Sequence, residues 1–317
     1  MHCELVVPGL FSANTASRFG ALELLLARGR SRSAPAQRLE DWLGEAFELG
    51  EGPFPAGALT VLACGGDPRA ENWTRADPVH LRVMRDHLAV VPADAFELLA
   101  EEAETLCGVL SQHFAGRAVF RTCGPKRWCA GLSGTPAIDA GNPLEAAGRE
   151  VELPRETAPL LNEAQMVLHA HPVNEAREAR GEPAVNSLWL WGAGRAASAS
   201  SHWQSVAADD PAVIGAARLA GARHRPLPRS ARDWLERLPE DGRHLAVLDE
   251  LRISRDASAL ERLEHGWFEP LLCALRSGRI GMVTVHVPDA AEALSFETIR
   301  ADLRRFWRMA KPIERYA

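Results

Sequence analysis

The chain has no surplus of basic charge, no long apolar run and no closely paired cysteines, and each absence removes a class of function. Across 317 residues, 36 Lys and Arg stand against 42 Asp and Glu, a formal net charge of −6. A chain without a global positive field lacks the electrostatic attraction that holds nucleic acid or an anionic membrane. Neither partner is expected. No apolar segment approaches the roughly 20 residues needed to span a bilayer. Met1-His-Cys-Glu4 also lacks the basic start of a secretory signal, so a cytoplasmic location is expected. The six cysteines (Cys3, Cys64, Cys107, Cys123, Cys129 and Cys273) include no Cys-x-x-Cys motif. Free, mostly buried thiols are expected, and Cys123 and Cys129 lack a neighbouring His or Cys at a metal-ligand spacing. Tyrosine occurs once against nine tryptophans. Trp189 and Trp191, two apart on a predicted strand, share a side and point to packing of a sheet.

What is present is enough apolar material for a large core: 46% of residues are hydrophobic, and the length suits two domains. Predicted strands at 4–10, 58–63, 244–249 and 281–286 alternate with predicted helices at 21–27, 35–47, 213–222 and 258–276. This βα order implies a mainly parallel sheet. Between them lies a stretch of different character. It has a strand at 88–91, a helix over 93–113, a hairpin at 118–120 and 128–130, a Gly- and Pro-rich loop at 131–148 and a strand at 187–191. The reading is a core domain in two parts, 1–68 and 199–317, with an inserted α+β domain at 69–198. The C-terminal segment 299–309 is predicted as a helix with Ile299, Leu303, Phe306 and Trp307 on one stripe. Arg300, Arg304, Arg305 and Arg308 surround that stripe, as a solvated face or a docking surface.

The most informative segment is 169–195. Pro172 turns the chain after an apolar helical run, Gly181 and Pro183 stop the next turn, and Ser187–Trp191 runs into Gly192-Ala-Gly194. A strand that ends in glycines is where open α/β sheets place ligands. In the segment, His171-Pro-Val-Asn174, Arg177 or Arg180, Gly181, Pro183-Ala184, Asn186 and Gly192-Ala-Gly194 resemble the end of the inserted domain in archaeal-type cofactor-independent phosphoglycerate mutases. Most of the chain also resembles a group of proteobacterial proteins described as phosphoglycerate mutases or as Rpf-type regulatory proteins. That likeness rests on Arg75-Ala-Asp-Pro-Val-His-Leu81, Gly266-Trp-Phe-Glu-Pro-Leu-Leu272 and Gly278-Arg-Ile280.

The resemblance implies an α/β fold, an alkaline-phosphatase-like mainly parallel sheet core with an inserted α+β domain. It also implies two divalent metals, Mn or Zn, held by Asp and His at strand ends beside a Ser or Thr nucleophile, since two cations screen a phosphoryl group under in-line attack. The chain departs from that pattern. Pro8 stands where the first strand of the family ends in Asp-Gly. His286-Val-Pro-Asp289 replaces a late Asp-His pair, and Asp249-Glu250 lacks an accompanying Gly-His-Asp. Ser12, Thr15 and Ser17 are the hydroxyls near the expected nucleophile turn. Two readings stay open. One is a non-catalytic relative without a metal cofactor that binds a phosphorylated small metabolite or a protein partner. The other is a phosphoglycerate mutase or related phosphoryl-transfer metalloenzyme with relocated ligands such as Asp249, His286 and Asp289.

Candidate ligand contacts fall in two runs. The first holds Arg75, Asp77, His80, Arg82 and Arg85, continuing to Asp86 and His87, read as a salt-bridged turn or an anion-binding surface. The second holds His171, Asn174, Arg177, Arg180, Asn186 and Arg195, read as polar groups of a helix-turn-strand joint or as phosphometabolite contacts. His169 and His171 form a His-x-His pair without a third ligand nearby, which points to a packed or helix-terminal role.

Overall fold

The computed structural model describes residues 1–12, 17–85, 88–134, 140–147, 150–151, 157–239, 241–254 and 256–316. Among them the strands are β1 (His2–Val6), β2 (Arg30–Ala34), β3 (Asn72–Val83), β4 (Leu88–Pro92), β5 (Ala118–Thr122), β6 (Trp128–Leu132), β7 (Glu150–Val151), β8 (Ser187–Trp191), β9 (Ser205–Ala207), β10 (Arg223–Arg225), β11 (Arg243–Val247), β12 (Met282–Val287) and β13 (Ala293–Ile299). The chain divides into two compact units. One contains Met1–Glu48, Ser200–Asp209 and Ala217–Ala317, and the other Leu49–Ala199 with Asp210–Ala216.

The first unit holds a seven-stranded sheet in the order β10-β9-β11-β1-β12-β13-β2. From β10 to β12 the strands are parallel, while β13 is antiparallel to both β12 and β2. Parallel neighbours need crossover connections, and helices supply them. The helices Gly20–Arg28, Ala231–Arg237, Ala257–Leu263 and Glu269–Ser277 bury Leu22, Leu25, Trp234, Leu260 and Leu271 against Cys3, Leu5, Val283, Val285 and Phe296. Side chains alternate along a strand, so His2, Glu4, Thr284 and His286 fall on the opposite face. Gly278 closes the helix Glu269–Ser277 at φ 80°, a left-handed cap conformation suited to glycine.

The second unit is an antiparallel sheet ordered β5-β6-β3-β4-β7, with β8 also paired to β3. The helices Ala100–His113 and Ala158–His169 cover one face through Leu106, Leu110, Leu161 and Leu168, packed on Ala76, Trp128 and Leu188. The helix Ala56–Ala63 lies so close to β3 that a Cβ on Gly57 would sit 2.5 Å from the Thr74 Cα. Gly192, at φ 60°, meets the same helix, and a Cβ there would lie 2.5 Å from that of Ala56. This pair of glycines admits helix and sheet to backbone contact.

The α/β class, with a mainly parallel core sheet and a separate unit of helices and antiparallel strands between its two parts, is as the sequence predicts. Four local elements differ. Residues 58–63, predicted as a strand, belong to the helix Ala56–Ala63; residues 56–61 are all buried, so no polar face reveals the helical period. The run starting at Arg75 is strand β3 through Val83, not a turn ahead of a strand. The helix predicted over 93–113 is a 3-10 turn at Ala93–Ala95 followed by a helix from Ala100. The predicted helix 299–309 is absent: Ile299 ends β13, Arg300–Arg304 form a 3-10 turn, and Asp302 draws the chain round by accepting from Ile299 N and pairing with Arg305 at 2.7 Å.

Candidate functional site

The C-terminal ends of the parallel strands are where this architecture places chemistry. After β1 the chain runs Val7-Pro8-Gly9, and Pro8 offers no ligand atom. Asp249, beyond β11, occupies the N-cap position of the short turn Glu250–Ile253, and Glu250 pairs with Arg262. Beyond β12, Asp289 Oδ1 accepts from Ala291 N at 2.9 Å within its own turn. His286 Nε2 donates to Glu4 Oε2 at 3.1 Å. Among the described residues no group of three or more His, Cys, Asp and Glu side chains is placed to hold a metal ion, so Asp249, His286 and Asp289 form no such group. The donors present do not fit a two-metal centre. Of the nearby hydroxyls, Thr15 lies outside the described residues.

In place of a ligand cluster, the middle of this sheet carries a buried carboxylate. Glu4 is 1% exposed. Arg243 Nε donates to its Oε1 at 2.8 Å, and His2 Nδ1 and His202 Nε2 lie 3.6 and 4.0 Å from the same oxygen. The register explains the gathering, because His2 is level with Arg243, Glu4 with Thr284 and Val6 with His286 on one face of three parallel strands. His2 Nε2 also meets Thr284 Oγ1 at 2.9 Å. Indoles close the cluster: Trp42 lies 5.0 Å from the His286 ring and Trp203 lies 4.2 Å from the His202 ring. Burial alone would raise the Glu4 pKa, but the hydrogen bonds from His286 and Arg243, with the charge of His2, outweigh it and hold it at about 2. Burial lowers the pKa of His2 and of His202, with Arg243 adding to it and Glu4 opposing in both. The arrangement fixes one full negative charge among histidines that pack on indole rings.

The residues flagged in the sequence lie in the second unit and separate into distinct groups. Arg75 and Asp77, 1% and 3% exposed, form a bidentate pair on one face of β3, with Arg75 Nε donating to Oδ1 at 3.0 Å and Nη2 to Oδ2 at 2.9 Å. Trp191 Nε1 and Trp128 N also donate to Asp77, at 2.8 and 3.3 Å, and the Arg75 guanidinium sits 5.1 Å from the centre of the Trp191 ring. Asp210 lies 3.8 Å from Arg75 and 3.5 Å from Arg127, which in turn chelates Asp94 at 2.9 Å. Burial acts against the charge of Arg75, yet Asp77 and Asp210 outweigh it and raise its pKa. Nothing in the sequence linked Arg127, Asp94 and Asp210 to this pair, because they come from three distant segments. Glu4 and its histidines were missed for the same reason, although His2-x-Glu4 already shows the period of a strand.

The second run forms the joint between helix and strand. Asn174 donates to Leu168 O and Val185 O, both at 2.8 Å, and accepts from Val185 N at 2.9 Å. Buried Arg177 donates to Pro183 O, Glu97 O and Glu102, and its guanidinium lies over Phe96. Arg180 pairs with Glu102 and Glu182, and His171 Nδ1 accepts from Val173 N as a helix cap. Asn186 binds both backbone groups of Leu81, and His80 Nδ1 donates to Ala184 O at 2.9 Å. Arg82 and Arg85 are exposed; Asp86 and His87 lie outside the described residues. Arg195 donates to Asn72 Oδ1, at the other end of β3 from Arg82, ten strand residues or about 33 Å away.

No family model and no curated protein matches the chain. Among solved structures it is similar to the PH0037 protein from Pyrococcus horikoshii, with 14% identity, 94% of this chain and 87% of that chain covered and a TM-score of 0.55. The two share a fold. It is also similar to a cofactor-independent phosphoglycerate mutase from Thermoplasma acidophilum, at 20% identity over 94% of this chain and 89% of that one, with a TM-score of 0.45.

Proposed function

We propose that this chain is a non-catalytic relative of the cofactor-independent phosphoglycerate mutases, a binding or regulatory protein that works without a bound metal. The carrying observation is the donor set at the ends of the parallel strands. Pro8 stands where a ligand is needed, Asp289 serves its own turn, and His286 is committed to Glu4. The motif of the inserted domain is retained, and its Arg75 and Arg177 are tied into internal ion pairs. The ligand of this reading is a phosphorylated small metabolite or a protein partner, with exposed Arg82 and Arg85 at the tip of β3 as the anion contact. The likeness to Rpf-type regulatory proteins points the same way, and a cytoplasmic setting agrees with free thiols.

The test is metal content after incubation with manganese and zinc, measured beside a 3-phosphoglycerate mutase assay. Absence of both stoichiometric metal and turnover is expected. Two bound metals with turnover would overturn the reading and establish a phosphoryl-transfer enzyme with relocated ligands.

A further inference from the structure

The segment following β13 displays apolar side chains to solvent: Phe306, Trp307 and Met309 are 78%, 67% and 78% exposed. The two aromatic rings stack edge to face at 5.2 Å. A contiguous display of this size on a folded chain marks an interaction surface more often than chance exposure. Its position is fixed by arginines on either side, since Arg305 donates to Arg28 O at 3.2 Å and Arg308 to Gly29 O at 2.7 Å. Those carbonyls immediately precede β2, the outermost strand of the sheet, whose five residues are all exposed. Among the described residues β13 is the one strand paired with β2, so an open strand edge begins beside an aromatic tip.

Charge selects the partner. Residues 28–34 and 297–316 hold nine Arg and Lys against three Asp and Glu, in a chain whose total is −6. Of the three acids, Glu297 lies in register with Arg30, Asp302 is paired with Arg305, and Glu314 is exposed. Arginines on an edge strand repel a second copy of the same edge, which argues against self-pairing. They attract an acidic strand. We propose that β2 and the Phe306-Trp307 tip form a docking site for an extended acidic segment of another protein, which adds to the sheet as an eighth strand and lays apolar side chains on the aromatic rings. This holds whether or not the core sheet binds metal or a phosphometabolite.

The test is fluorescence anisotropy of the full chain with a labelled peptide that alternates Asp with Val and Phe. Three comparators are used: the same peptide N-methylated at alternate residues, a version with Lys for Asp, and vesicles of phosphatidylserine and phosphatidylcholine. Saturable binding that weakens with added salt is expected for the acidic peptide. Binding should fall about tenfold or more for the N-methylated and Lys peptides, and to a similar degree in Trp307→Ser and Arg32→Glu. The peptide comparison uses the unaltered chain, so it stands even if a variant fails to fold. Equal binding of the N-methylated peptide would reduce the surface to a simple charge contact and overturn strand addition. Absence of peptide binding, or capture by vesicles alone, would overturn the proposal outright.

Discussion

Replacing Glu4 with Gln tests whether the buried carboxylate is a strong stabilising charge. The side chain keeps its shape but loses its charge, leaving Arg243 without a counter-ion and His286 without its carboxylate partner. The Glu4 pKa falls from 4.5 to about 2 on folding. At about 1.4 kcal/mol per pH unit this corresponds to ~3 kcal/mol of stability. Because the folded pKa lies below the unfolded one, that stability is fully present above the unfolded value and is lost as pH falls through the folded one. The gap between the wild type and Glu4→Gln in urea unfolding should therefore stay near ~3 kcal/mol from pH 7 to 5 and shrink only on going from pH 4.5 towards 2. Hydrogen exchange in β1 and β12 reports the first unit separately where unfolding departs from two states. A gap below ~1 kcal/mol at pH 7, or one unchanged at pH 3, would refute the reasoning.

Asp77→Ala should destabilise the second unit by about 3–5 kcal/mol, since it leaves the Arg75 charge buried with Asp210 3.8 Å away; urea unfolding followed by exchange in β3 measures the loss. Joint substitution of Arg75 and Asp77 by Met and Leu should recover much of it. Asn174→Ala removes the bonds to Leu168 and Val185 and strands Val185 N, for an expected cost of about 2 kcal/mol in the same assay. Gly57→Ala brings a methyl against the Thr74 backbone, which cannot rotate away, and should lower thermal stability by about 1–3 kcal/mol. Arg82→Ala, by contrast, should change stability by less than ~0.5 kcal/mol, because its side chain is exposed.

Short apolar runs bounded by turn residues were easily read. Ser187–Trp191, which runs into Gly192, and the hairpin of β5 and β6 appear where those runs put them. Residues 58–63 were misread because a helix buried on nearly every side has no polar stripe to distinguish it from a buried strand. The segment 299–309 was misread in the opposite way: a helical stripe was present, but the Asp302 side chain and the arginine contacts to Arg28 and Gly29 bend the chain away from it. Tertiary contacts thus left Phe306 and Trp307 in solvent instead of against the core.

By itself the sequence determined the class of molecule: a core large enough for two units, βα alternation that requires a parallel sheet, and a proline without a ligand atom just after the first strand. Those features are local or compositional, and local chemistry is what a sequence records. The tertiary structure alone decided which charges meet. His2 and Glu4 join Arg243 and His286 from the far end of the chain, and Arg75 and Asp77 join Arg127 and Asp210, because strand register and burial select partners across more than 50 residues of chain. Desolvation makes a paired buried charge strongly favoured over an unpaired one, but that preference acts only after folding has brought the partners together.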